Sequence, residues 1–162
     1  MRLDEFLRRF IEGYLFADVE SIQRDVHPPT ADGHCGYPML MSCLAGIEVL
    51  GVLAGATPYS TLVAKQNKTA LKAADPYLQF CRYWEDYLYT ATPQREAGMA
   101  IYQLLRHGVA HNFASKQPIQ VTRREAGHHL RTDPGSGVTY IDADSLFGDL
   151  CQSYRNSIHA GC

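Results

Sequence analysis

The sequence predicts a mainly α fold: an antiparallel bundle of four to five helices, with a small antiparallel β appendage before the last helix. Two observations carry this expectation. Apolar residues recur at helical spacing through most of the chain, and the period changes to that of strands only between residues 119 and 141. Proline and glycine punctuation then separates the periodic segments.

The first helix is expected at about residues 4 to 24. Leu3, Phe6, Leu7, Phe10, Ile11, Tyr14, Leu15, Val19 and Ile22 form its apolar stripe, while Arg8, Arg9, Glu12 and Asp18 occupy other faces. Residues 27 to 36, with two prolines and two glycines and no apolar period, read as a crossing loop. A second helix opens near Pro38 and is apolar on nearly every side except at Ser42 and Glu48, so it should be central. Its Gly46 and Gly51 weaken an isolated helix but permit close approach by another backbone. Residues 57 to 74 are polar and stay open between loop and short helix.

Asp75-Pro76 signals the start of a third helix, with Tyr77, Phe80, Cys81, Trp84, Tyr87 and Leu88 as its stripe. Thr92-Pro93, with Glu96 in the first turn, starts a fourth, whose stripe is Ala97, Ile101, Leu104, Leu105 and Val109. Beyond Pro118 three strands are expected, at 119–122, 129–131 and 138–141, the last after the turn Asp133-Pro134-Gly135-Ser136-Gly137. Asp142 then caps a final helix carrying Leu146, Phe147, Leu150, Tyr154 and Ile158 on one face. There is no internal repeat and no low-complexity tract.

With 162 residues, 46% of them apolar and 20% charged, one folded domain over 1–162 is expected. The bundle takes about 1–116, and the β appendage with the terminal helix about 117–162. A formal charge of −2 excludes a globally basic surface that captures nucleic acid without discrimination. Charges at Arg2, Asp4, Glu5, Arg8 and Arg9 interrupt the first ten residues, unlike a signal peptide. The most apolar stretch, residues 39–56, carries Ser42, Glu48 and three glycines, and reads as a buried helix rather than a membrane span. The expected location is the cytoplasm, with no membrane partner. Five cysteines at 35, 43, 81, 151 and 162, an odd number without a CxxC pair, are expected as free thiols, Cys43 and Cys81 in the core.

The chemistry-bearing candidates gather near the end of the fourth helix. Arg106 stays charged and offers a planar fork to phosphate; His111 titrates near neutrality and suits a general base; His107 lies one turn before it on the same face. The string Ile101-Tyr102-Gln103-Leu104-Leu105-Arg106-His107-Gly108-Val109-Ala110-His111-Asn112-Phe113 resembles the HEPN superfamily (higher eukaryotes and prokaryotes nucleotide-binding domains), helical bundles carrying R-x4-6-H, commonly with a polar residue after the arginine. The apolar helix around Ile47-Glu48 is similar to the second helix of such proteins. The resemblance covers roughly residues 1 to 113, and its diagnostic part is the R-x4-H stretch.

The resemblance implies a metal-independent endoribonuclease with His111 as base, Arg106 as phosphate stabiliser and His107 as an orienting or second proton-transfer group. Glu48 and Asn112 are supporting residues, and Lys116, Arg123 and Arg124 are candidate RNA contacts. It also implies a homodimer and no cofactor, and by family analogy a toxin or defence effector with an antitoxin or other regulatory partner. The alternative within the family is a non-catalytic module that binds nucleotides or proteins. Five residues of ideal helix advance about 7.5 Å and rotate about 140°, so Arg106 and His111 do not share a face of a straight helix. Gly108, or a second subunit, has to resolve this.

From the residues alone, other readings stay open. Cations in a last helical turn favour the helix dipole, and Arg106 can pair with a buried Glu48, which either orients the arginine or is simply a paired core carboxylate. His107 and His111, with His34 and Cys35 as distant candidates, complete no recognised zinc spacing. Arg123, Arg124, His128, His129 and Arg131 guide an RNA backbone or form a solvated hairpin surface. Tyr83, Trp84, Tyr87 and Tyr89 offer stacking faces to bases or, by their helical spacing, belong to the core.

Overall fold

A computed structural model describes residues 2–26, 35–55, 76–91, 93–103 and 119–158. Among these residues the fold is mainly helical, with five helices and a three-stranded sheet before the last.

Helix α1 runs through three successive stretches, Leu3–Phe6, Leu7–Phe16 and Ala17–Asp25, the middle one with wide, π-type turns. The expected helix is there, but its geometry is not that of a regular α-helix. Its buried residues explain the difference. Leu7, Ile11, Phe16 and Val19 all face the core, and the step of five from Ile11 to Phe16 would rotate a regular helix about 140° away. Turns closed by i→i+5 hydrogen bonds swing Phe16 back toward the core side. There Phe16 meets Phe147 and Tyr154 edge-on, with ring centroids 5.8 and 5.2 Å apart.

Helix α2, Gly36–Gly55, is the central element. Met39, Leu40, Cys43, Leu44, Ile47, Leu50 and Ala54 are buried, and the helix packs against α3 and α5. It starts two residues before Pro38, which is harmless because a first-turn residue has no intrahelical acceptor to lose. A Cβ at Gly51 would lie 2.1 Å from the carbonyl oxygen of Gln79, so the expected backbone approach occurs there. At Gly46 the neighbour is the Leu15 side chain, 2.6 Å from where a Cβ would sit, rather than a backbone.

Helix α3 is Pro76–Tyr83 continued by a π-type turn, Trp84–Leu88. Phe80, Tyr83 and Trp84 are wholly buried, so these rings belong to the core rather than to a stacking surface. The Trp84 indole N–H donates to the Gln94 carbonyl (2.9 Å), and its ring fills the space where a Cβ on Gly98 would sit, 2.5 Å away. That contact seats α4, Gln94–Ile101, against α3.

The sheet comprises β1 (Ile119–Thr122), β2 (Arg131–Thr132) and β3 (Thr139–Asp142), in the order β1-β3-β2. The strands lie where the sequence puts them, to within two residues. Their pairing departs from the expected antiparallel appendage: β2 is antiparallel to β3, but β1 is parallel to it. The reason is local. Among the described residues a hairpin turn is found at Asp133, whose carboxylate accepts from Gly135 and Ser136 N–H while Gly137 adopts φ +70°. Between β1 and β2 the chain instead turns through Arg124 and Leu130, both with positive φ, and the short 3₁₀ turn Ala126–His128, which carries β2 past β3 to the outer edge.

Helix α5, Ala143–Ser157, is capped by Asp142, whose Oδ1 accepts from Ser145 N–H at 2.8 Å. Leu146, Phe147, Leu150 and Tyr154 are buried as expected.

Candidate functional site

Glu48 is half-buried on α2, and α4 leads toward the R-x4-H segment with Ile101 and Tyr102 buried, Tyr102 against Phe80. Arg106, His107, His111, Asn112 and Lys116 lie outside the described residues. Of these candidates the described residues therefore hold Glu48 on α2 and the adjacent Arg123 and Arg124 in the turn after β1.

Arg123 is not the exposed RNA contact expected of it. Its side chain is 1% exposed and forms a bidentate pair with Asp144, Nε to Oδ2 at 3.1 Å and Nη2 to Oδ1 at 3.2 Å. Nη1 donates to the Val26 carbonyl (2.8 Å) and Nη2 lies 3.5 Å from that of Gln23. One guanidinium thus satisfies carbonyls at the C-terminal end of α1 and fixes them to the first turn of α5, where an acidic residue suits the helix dipole. Arg124 is exposed, but its backbone N–H donates to Asp144 Oδ2 and its guanidinium to the Gln23 carbonyl. The pair is a clamp, and the basic hairpin surface reduces to Arg124, His128 and Arg131.

His129 is the second departure, with a side chain only 10% exposed. The Asp142 backbone N–H donates to its Nδ1 at 3.2 Å, so the neutral ring carries its proton on Nε2. Nε2 sits 2.9 Å from Tyr89 Oη, and the Tyr89 hydroxyl donates to Asp149 Oδ2 at 2.6 Å. Burial lowers the His129 pKa from its usual value, against the opposing pull of Asp149 and Asp142. Burial, reinforced by the Asp149 charge, raises that of Tyr89.

Asp142 is the hub of this junction. It is fully buried; Oδ1 caps α5 through Ser145, and Oδ2 accepts from Glu125 N–H at 2.8 Å. In the sequence Asp142 shows only as a cap. Tyr89 shows in the sequence only as a stacking or core ring and Asp149 not at all, because residues 89, 129 and 149 meet through tertiary packing alone. Chemically the chain His129–Tyr89–Asp149 is a proton-ordered relay whose hydrogen-bonding groups already have partners, which suits fixing a junction more than attacking a substrate.

Cys43 and Cys81 lie in the core as expected, and Cys151 joins them. Burial raises the Cys43 pKa and pushes that of Cys151 up to about 11. Only the thiolate alkylates. Iodoacetamide at pH 8 is therefore expected to leave Cys43 and Cys151 unmodified in the folded protein and to label both after denaturation, read by peptide mass spectrometry.

Among the described residues no group of three or more His, Cys, Asp or Glu could hold a metal ion. Among the described residues one helix, over Gly36–Ala54, is long and apolar enough to cross a membrane by length and composition, and half of that window is buried inside the fold. No family model, no curated protein and no solved structure matches the chain.

Proposed function

We propose that the chain is a HEPN-like, metal-independent endoribonuclease. The observation that carries the reading is the string from Arg106 to His111, near the end of the fourth helix expected from the sequence and preceded by a central apolar helix bearing Glu48. A mainly helical fold with α2 at its centre and Glu48 half-buried on it is compatible with that order and supports the reading.

In this reaction His111 takes the proton from a ribose 2'-hydroxyl as the oxygen attacks the adjacent phosphorus. Arg106 offsets charge growing on the phosphate oxygens, and His107 returns a proton to the departing 5'-oxygen or orients the pair. A 2',3'-cyclic phosphate and a free 5'-hydroxyl result. The proposal includes a homodimer that brings two copies of the motif into one cleft, a cytoplasmic location, and a role as toxin or defence effector under a regulatory protein partner. It needs no cofactor, since base and cation come from the chain.

The test is cleavage of structured and single-stranded RNA in EDTA by the wild type, Arg106→Ala and His111→Ala. The wild type is expected to leave cyclic phosphate ends, and each variant to lose at least about 100-fold in rate while keeping its circular dichroism. Cleavage unchanged in both variants overturns this site. Nucleotide binding without any cleavage by the wild type replaces the enzyme with a binding module.

A further inference from the structure

We propose that His129 is a pH-sensitive latch that fastens the sheet to α3 and α5, and that protonation exchanges one hydrogen-bond arrangement for another. This inference is independent of the RNase reading.

The geometry defines the first arrangement. His129 accepts at Nδ1 from the Asp142 N–H and has Nε2 directed to Tyr89 Oη, which is bound in turn to Asp149. The ring therefore spans the β3–α5 junction, the residue after α3, and the middle of α5. The set as a whole requires a neutral imidazole in the Nε2–H form, because Nδ1 must present a lone pair to the Asp142 N–H.

Protonation places a second donor on Nδ1, facing the Asp142 N–H, and two donors at 3.2 Å repel. The imidazolium has a ready alternative. Asp149 Oδ2 already lies 3.7 Å from Nε2, and a charged ring gains by pairing with it directly. Reaching that oxygen directly takes Nε2 off Tyr89 Oη, so the second arrangement gives up the His129–Tyr89 contact together with the Asp142 N–H. The element is bistable because one side chain cannot satisfy both sets.

Among the described residues, the titratable groups facing this point are Tyr89 at the end of α3, Asp149 on α5 and Asp142 at the junction. Cys43 on α2 also acts electrostatically on Tyr89, and burial, which raises its pKa, keeps it a neutral thiol. On the turn itself, His128 and Glu125 are exposed and pair with each other at 3.9 Å. The direction of the shift fixes the sign. Burial lowers the His129 pKa below 6.5, so the folded state binds the proton less readily than the unfolded chain. The stabilisation is complete above pH 6.5 and is lost as pH falls through the folded-state value below it.

The reporter is built in. Trp84, the only tryptophan of the chain, packs against the Tyr89 ring with centroids 4.6 Å apart. Tryptophan emission titrated from pH 8 to 5 is expected to show one transition with its midpoint below 6.5, at constant helical circular dichroism. His129→Asn keeps an acceptor near the Nδ1 position without a titrating proton and is expected to abolish the transition. Asp149→Asn removes the carboxylate that favours the charged ring and is expected to move the midpoint to lower pH. A transition of unchanged midpoint in His129→Asn overturns the latch, as does its absence from the wild type. Long-range nitrogen–proton NMR on the wild type gives a reading that needs no variant. It should find the Nε2–H tautomer at pH 7.5; a Nδ1–H ring, or a His129 midpoint at or above 6.5, overturns the proposal.

Discussion

Arg123→Ala is expected to destabilise the protein by about 3–5 kcal/mol, the range found when one partner of a buried ion pair is deleted. For a chain of this length that corresponds to a fall in Tm of roughly 10–15 °C, measurable by calorimetry or by circular dichroism. The loss has two parts. Asp144, 11% exposed, keeps the Arg124 N–H but loses its bidentate cation, and the Val26 carbonyl loses a donor. Arg123→Lys distinguishes charge from shape. Lysine returns the charge without the planar fork that reaches Asp144 and the end of α1 together, so it should recover less than half of the loss. A loss under about 1 kcal/mol in Arg123→Ala, the ordinary value of a surface pair, would mean that the clamp carries no weight.

The clamp also marks where sequence reasoning reaches its limit. Arg123 and Arg124 are adjacent and chemically identical, and both read as surface charge. Their different fates follow from the end of β1 and a positive φ at Arg124, which turn one guanidinium inward and leave the other on the surface. Nothing in the local pattern encodes that choice, nor the meeting of residues 89, 129 and 149. Helix order was legible because burial against a common core imposes a period on the sequence. The Asp142 cap and the Asp133 turn were legible because each is completed within three residues. The parallel pairing of β1 with β3 was not, because strand direction depends on the path between strands, and the path through 123–130 has no turn signature. In α1 the expected stripe passes through Tyr14 and Leu15 and leaves Phe16 out, and the burial of Phe16 is the mark of the wide turns. The candidate site's diagnostic segment, Arg106 to His111, is legible through residue type and order alone.

Gly51→Ala should destabilise the fold by about 3 kcal/mol or more, at the upper end for overpacked cores. The comparison with the other glycines of the helices makes this a test of packing rather than of glycine content. At Gly51 the added methyl would sit 2.1 Å from the Gln79 carbonyl oxygen and 2.7 Å from its carbon, both backbone atoms of α3. Relief requires moving one helix off the other along the most extensive contact in the core. At Gly46 the obstruction is the end of the Leu15 side chain, which can change rotamer, so Gly46→Ala should be milder. Gly148 lies exposed within α5 with nothing inside 4 Å of the added atom. There only the helix propensity changes, and Gly148→Ala should stabilise by about 0.5–1 kcal/mol. The expected order of Tm is therefore Gly148→Ala above wild type, then Gly46→Ala, then Gly51→Ala, with the last lower by roughly 10 °C. If Gly51→Ala instead melts with the wild type, α2 and α3 are not in backbone contact. The central position of α2, on which the placement of Glu48 and the approach of α4 depend, would then need to be redrawn.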